Sequence, residues 1–190
     1  MIKNDMLYYL AIFVICLIVT NITSSIYASF MIYTDVALGL LVMFIGLAVG
    51  RSAFAFTNLF SATENEELTI SEDNYTTRLS ISAFISAFLS LYGSVQGEML
   101  YDAAMWDVEN QKYFDEPSLS YLDIFIAPFE MLTDLFNTID GWLILWWDYF
   151  TYSFLILSTD GIVAITSIGF YALAVYFGYN SAWGTRYSWF

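Results

Sequence analysis

Two charged residues stand inside long apolar runs, and they are the first candidates for chemistry. Arg51 interrupts an apolar run over residues 36–60, and Asp148 lies within another over residues 141–158. A charge near the middle of a bilayer is costly, so such residues usually pair with each other or line a path for ions or protons. Arg51 and Asp148 lie at comparable depths. They therefore indicate an ion pair between helices, a proton or ion path through Asp148, or contacts of each charge with a neighbouring subunit.

A second group of acids follows one face of the segment 118–139. Asp123, Glu130 and Asp134 are spaced so that a helix would align them along a single stripe. Carboxylate oxygens at such a stripe suit Ca²⁺ or Mg²⁺, or a proton route. The same pattern is typical of the water-facing side of a surface helix. The segment is therefore either an amphipathic helix at the membrane surface or a span whose acidic side faces protein.

The residues that are absent narrow the chemistry further. The chain has no histidine, and its one cysteine, Cys16, lies in an apolar run. This excludes histidine-ligated haem, zinc and copper, and nucleophiles that depend on a histidine base. The sequence also lacks the nucleotide-binding and hydrolase motifs GxxxxGK[ST], GxGxxG, GxSxG, CxxC and HExxH. We expect no catalytic residue, no metal site and no cofactor, and thus not an enzyme, and we expect bound membrane lipids.

The composition determines which elements must position these residues. Of the 190 residues, 59% are apolar, which exceeds what a soluble core of this size can bury. The 19 acids outweigh the five bases, giving a net charge of −14, which excludes a nucleic-acid partner. We therefore predict an all-α, polytopic helical membrane protein whose acidic stretches face water, cations or the basic surfaces of other membrane subunits.

The apolar runs predict five or six transmembrane helices within a single domain, residues 1–190. The predicted spans are residues 6–33, 36–60, 79–100, 118–139 (either spanning or interfacial), 141–158 and 161–183. Acidic, water-facing loops are predicted over 61–77 and 98–116. Lys3 before the first span favours an N-terminus on the cytoplasmic or matrix side. With six spans, four of the five bases lie on that side; with five, Arg186 moves to the other.

Small residues on two of these spans predict close helix packing. They are Gly39, Gly46 and Gly50 in the second span, and Ser82, Ser86, Ser90, Gly93 and Gly97 in the third. Small side chains allow helix backbones to approach closely. This packing favours association of helices in lipid, where the hydrophobic effect does not drive them together. Whether the partner helix belongs to this chain or to another remains open at this point.

Two functions are consistent with these observations. The first is a non-catalytic accessory subunit of a larger multi-subunit membrane complex, such as an energy-transducing respiratory-chain assembly. The alternative is an ion or proton channel or transporter that uses Asp148, Arg51 and the acidic stripe. The membrane is then either the mitochondrial inner membrane or a prokaryotic plasma membrane, between which the sequence does not distinguish.

Overall fold

The fold is all-helical, as predicted. The computed structural model describes residues 2–34, 41–65, 72–113 and 161–184, together with 144, 146–148, 150 and 151. Within these ranges every residue before Trp183 is helical, and no strand occurs. The main helices are α1 (Ile2–Thr34), α2 (Val42–Asn65), α3 (Glu72–Tyr113) and α4 (Gly161–Ala182). The helical residues between 144 and 151 are called the Trp146 segment below.

Three of the helices are long and apolar enough to cross a membrane. The qualifying stretches are Asp5–Ile32 of α1, Val42–Phe60 of α2 and Tyr75–Asp102 of α3. Helices suit this role because they satisfy every backbone N–H and C=O group internally, where hydrocarbon offers no partner. These helices are compatible with an integral membrane protein. The predicted span 118–139 lies outside the described residues, and 141–158 is described only at the Trp146 segment.

The helices extend beyond the apolar runs that predicted them. The third span was predicted at 79–100, whereas α3 continues without interruption from Glu72 to Tyr113. Residues 98–113, predicted as part of an acidic loop, are therefore helical. Hydropathy marks where a chain enters lipid, but a helix ends only where its backbone hydrogen bonding ends. At 1.5 Å per residue, α3 is about 63 Å long.

The first three helices alternate in direction. α1 and α3 run parallel, because Asp5 contacts Arg78 near their beginnings and Ser24 contacts Gly93 further along both. α2 runs antiparallel to α1: the Tyr8 hydroxyl reaches Thr57, while the Cys16 thiol approaches the Val49 carbonyl. α1 and α4 pack on either side of the α2–α3 pair.

The fourth helix runs in the same direction as α2. Gly46 lies against Ala174, and Gly50, one turn later, lies against Ser181 and Ala182. The C-terminal end of α3 and the N-terminal end of α4 consequently lie at the same end of the bundle.

The interior of the bundle combines an apolar core with many buried polar side chains. Its fully buried side chains include Thr20, Ser24, Ser25, Ser29, Thr57, Ser82, Ser86, Ser90, Ser94 and Gln96. The outer side of α1 instead exposes large apolar side chains at helical spacing: Met6, Leu10, Val14, Ile18, Ile22, Ile26 and Phe30. Polar contacts between helices and an apolar exterior form the arrangement expected when lipid is the solvent.

Candidate functional site

A continuous polar stripe follows α3 through the bundle. Ser82, Ser86, Ser90 and Ser94, here called the serine stripe, are fully buried and recur every four residues. Arg78 lies one turn before them and Glu98 one turn after. The distance from Arg78 to Glu98 along the helix is about 30 Å at 1.5 Å per residue, close to the thickness of the hydrocarbon core.

A salt bridge closes the Arg78 end of the stripe. The Arg78 guanidinium lies 2.6 Å from an Asp5 carboxylate oxygen, joining α3 to α1. The same guanidinium lies 5.1 Å from the ring centre of Tyr8 and 5.7 Å from that of Phe60. Cation–π contacts of this kind add to an ion pair that is only partly desolvated. Together these contacts fasten the ends of three helices to one another.

Three hydroxyl groups meet one turn further into the bundle. The Tyr8 hydroxyl donates to Thr57 Oγ1 at 2.8 Å and lies 3.1 Å from Ser82 Oγ. Thr57 and Ser82 in turn donate to the carbonyl oxygens of Ala53 and Arg78. Each hydroxyl hydrogen thus has an acceptor, and the cluster joins α1, α2 and α3 at a single depth.

The hydroxyl groups in the middle of the serine stripe all donate to backbone carbonyls. Ser86 donates to the Gly178 carbonyl of α4 at 2.9 Å, while Ser90 and Ser94 donate to carbonyl oxygens one turn earlier in α3. A Cβ atom built on Gly178 would overlap Ser90 Oγ and lie 3.1 Å from the Ser86 carbonyl oxygen. The absence of a side chain at Gly178 therefore permits the contact between α3 and α4.

The glycines singled out by the sequence lie at further helix contacts. A Cβ on Gly50 would lie 2.5 Å from the Gly178 carbonyl oxygen, and one on Gly46 2.9 Å from the Gly178 amide nitrogen, so both face α4. Gly93 and Gly97 face α1, where a Cβ would lie 2.6 Å from the Thr20 methyl and 2.5 Å from the Tyr27 ring. Gly39 lies outside the described residues.

A second polar cluster joins α1 and α3 further along the bundle. Gln96 Nε2 donates to Asn21 Oδ1 at 2.9 Å, and Asn21 Nδ2 donates to the Leu17 carbonyl. Ser24 Oγ lies 2.8 Å from the Gly93 carbonyl oxygen. Among the described residues, the buried atoms Gln96 Oε1 and Ser25 Oγ find no hydrogen-bond partner. The cluster is thus a close helix contact with two unused polar atoms.

A carboxylate closes the other end of the stripe. Tyr171 of α4 donates its hydroxyl hydrogen to Glu98 Oε2, linking α3 to α4. Glu98 was counted with an acidic loop in the sequence, because it is the first charge after a long uncharged run. The structure places it inside a helix, against another predicted span.

Arg51 and Asp148 are both exposed and are not paired with each other. Arg51 lies on the outer side of α2, and Asp148 lies in the Trp146 segment, where Trp146 stacks on Tyr92 of α3 and donates to its carbonyl at 3.1 Å. In the part of the chain that the structure describes, the Asp5–Arg78 pair is the one salt bridge found.

The acidic stripe Asp123, Glu130 and Asp134 lies outside the described residues. Among the residues that are described, no group of three or more potential metal ligands lies together. The contacts of Tyr8, Asn21, Gln96 and Glu98 were not predicted from the sequence. The four-residue spacing from Arg78 to Glu98 is the signal that could have identified this side of α3.

The described polar groups form hydrogen bonds both within and between helices. Three of the four hydroxyls of the serine stripe donate to carbonyls of α3 itself, and one donates to α4. An apolar groove of about 160 Å³ lies between Tyr27, Phe30, Phe44 and Ile45. No protein-family model, curated protein or solved structure matches this chain.

Proposed function

We propose that this chain is a non-catalytic accessory subunit of a larger multi-subunit membrane complex. The observation that carries the proposal is a contrast between the inside and the outside of the bundle. Inside, serine, threonine and tyrosine hydroxyls are used in contacts between helices. Outside, Arg51 lies exposed at the middle of a candidate span. Neutral polar groups that are satisfied internally support a structural role, while an exposed intramembrane charge calls for a partner.

The acidic stretches support a partner with basic surfaces. The stretches 61–77 and 98–116 contain eleven acids and, within them, Lys112 as the sole base. Such surfaces favour contacts with lysine- and arginine-rich faces of neighbouring membrane subunits. Small, aromatic-rich subunits without histidine are typical of energy-transducing complexes, so we propose a respiratory-type assembly, in the mitochondrial inner membrane or a prokaryotic plasma membrane.

Purification under mild conditions tests this function. Membranes that contain the tagged chain at its natural level are extracted with a gentle detergent, and the mass of the intact particle is measured. We expect a particle several times heavier than the 21.7 kDa chain, with other membrane proteins in fixed ratio. A stable, monodisperse particle that contains this chain alone would contradict the proposal.

We also propose that the chain crosses the membrane six times, with both termini on the cytoplasmic or matrix side. The parallel course of α2 and α4 supports this number. Because α3 ends at the same end of the bundle at which α4 begins, residues 114–160 must cross an even number of times. Six spans satisfy this condition if 118–139 and 141–158 both cross. A surface helix at 118–139 followed by one crossing would reverse the direction of α4.

One observation favours the alternative function, a proton or ion channel or transporter. Buried polar groups on α3 extend from Arg78 to Gln96, and the partly buried Glu98 follows, so that the polar side covers about the full thickness of a hydrocarbon core. Two of the buried atoms without a hydrogen-bond partner among the described residues, Gln96 Oε1 and Ser25 Oγ, would suit bound water on such a route. Proton and cation flux into liposomes containing the purified chain tests this function, with Glu98→Gln and Asp148→Asn as variants. A chain that moves no proton or cation, and whose variants change nothing, excludes it.

A further inference from the structure

Arg51 occupies an unusual position for a charged residue. The candidate span Val42–Phe60 places it nine residues from either end, about 13 Å deep at 1.5 Å per residue. Intramembrane charges normally face the interior of a bundle, but Arg51 is on the outer side of α2 with Phe44, Ala55 and Leu59, which are also exposed. In the described structure its guanidinium has no carboxylate within 4 Å.

The surface around Arg51 has the shape of a helix-docking site. Ala48 and Ala55 lie one turn to either side of Arg51, and the bulkier Phe44 and Leu59 lie about two turns away. Small residues beside the charge would let the backbone of another helix come close to the guanidinium. Large side chains further along would enclose the contact and keep lipid from it.

Asp148 is the complementary charge, and it lies at nearly the same depth. Trp146 stacks on the Tyr92 ring and hydrogen-bonds to the Tyr92 carbonyl, which places Asp148, two residues on, in the same part of the bundle as Tyr92. Arg51 lies midway between Ile45, which faces Gly93, and Thr57, which contacts Ser82. Its level on α3 is therefore that of residues 87–88, about 6 Å from Tyr92. The Cα–Cβ bond of Arg51 tilts toward the N-terminus of α2, which reduces this offset.

We propose that Arg51 of one copy of this chain pairs with Asp148 of a second copy within the membrane. Two copies inserted in the same direction present these charges at the same two depths, so one contact neutralises an arginine and an aspartate that the single chain leaves exposed. The outer side of α2 around Arg51 is then a self-association surface. The accessory-subunit proposal uses the same exposed Arg51 but requires other proteins, so the composition of the native complex tests it independently of this inference.

Charge reversal tests the contact directly. The purified chain is reconstituted in liposomes at several protein-to-lipid ratios and about 0.15 M salt, which screens the acidic ends, and subunits are counted by single-molecule photobleaching. We expect a dimer or larger assembly for the unaltered chain. Arg51→Asp and Asp148→Arg should each weaken association about tenfold or more, and the double variant should restore it.

Matched variants separate the pair from general effects of charge. Arg51→Lys keeps the charge and should associate within about threefold of the unaltered chain, while Asp102→Asn removes a carboxylate at the end of a candidate span and should have no effect. Circular dichroism and thermal unfolding of every variant check that the bundle is intact. When a chain carrying Arg51→Asp is mixed with one carrying Asp148→Arg, the two should associate with each other, because each then presents a charge complementary to the other's.

Three results would overturn the inference. The unaltered chain could remain monomeric at every protein-to-lipid ratio. The double charge reversal could fail to restore association while both single variants stay folded. The two single charge-reversal chains could fail to associate with each other when they are mixed, although both are folded. A native complex with other proteins would still support the accessory-subunit proposal in each case, so the two can fail separately.

Discussion

Gly178 and Gly169 lie on the same helix in opposite surroundings, and one substitution made at both isolates the packing of α4. A Cβ atom on Gly178 would overlap Ser90 Oγ and lie 2.9 Å from Ser90 Cβ, whereas a Cβ on Gly169 would meet no atom within 4 Å. Replacing glycine by alanine within a helix gains about 0.5–1 kcal/mol from backbone entropy at either position. This gain cancels when the two variants are compared.

The difference in stability between the two variants then reports how closely α3 and α4 pack at this contact. Forcing an extra carbon into a close-packed site costs about 1–3 kcal/mol. We therefore expect Gly178→Ala to be less stable than Gly169→Ala by about 1–3 kcal/mol, or about 2–12 °C in melting temperature for a chain of this size. Thermal unfolding in mild detergent, followed by circular dichroism, provides the measurement.

A second-site variant sharpens this test. Ser90→Gly removes both Ser90 atoms that the new methyl group would meet. Gly178→Ala should therefore lower the free energy of unfolding less in that background than in the unaltered chain. If Gly178→Ala and Gly169→Ala differ by less than about 0.5 kcal/mol, the close approach of α4 to α3 is wrong. The packing of α4 beside α3, on which the six crossings partly rest, would then lose support.

Three further predictions concern the ends of the bundle. Tyr8→Phe removes the hydroxyl shared with Thr57 and Ser82 and should lower the free energy of unfolding by about 0.6–1.7 kcal/mol, whereas Tyr9→Phe, at a partly buried position, should change it by less than about 0.5 kcal/mol. Asp5→Asn should lower the free energy of unfolding by about 0.5–1 kcal/mol, and by almost nothing in a chain that also carries Arg78→Gln. An equal loss in both backgrounds would contradict the salt bridge. Tags at the two termini should be cleaved by protease from the same side of sealed vesicles, and cleavage from opposite sides would refute six crossings.

The helical class followed from the sequence because hydrocarbon leaves the backbone few alternatives. Long uncharged runs predicted α1 and α4 to within a few residues at each end, since the water boundary and the helix ends nearly coincide there. The span predicted for α3 was shorter than the helix itself, because acidic residues end an apolar run without ending a helix. Hydropathy therefore located the apolar runs better than it located the helix ends.

The contacts between helices were harder to predict than the helices themselves. A neutral residue such as Tyr8, Asn21 or Gln96 does not interrupt an apolar run, so it does not stand out in the sequence. The neighbouring residues also do not indicate which other helix it faces. Glycine and serine spacing indicated which sides of α2 and α3 are small, but not that Gly46 and Gly50 would meet α4 while Gly93 and Gly97 meet α1. Such pairing depends on helix direction, which is a property of the whole chain.

The length of α3 has a mechanical consequence. A hydrocarbon core about 30 Å thick needs about 20 residues of an upright helix, and α3 has 42. If the segment from Arg78 to Glu98 crosses the hydrocarbon, α3 extends about 22 Å further to Tyr113, continuous with the part that carries the serine stripe. No proline interrupts it. A force or torque applied to α3 beyond Asp102 would therefore be transmitted along a continuous helix to Glu98 and Tyr171, because no loop interrupts α3.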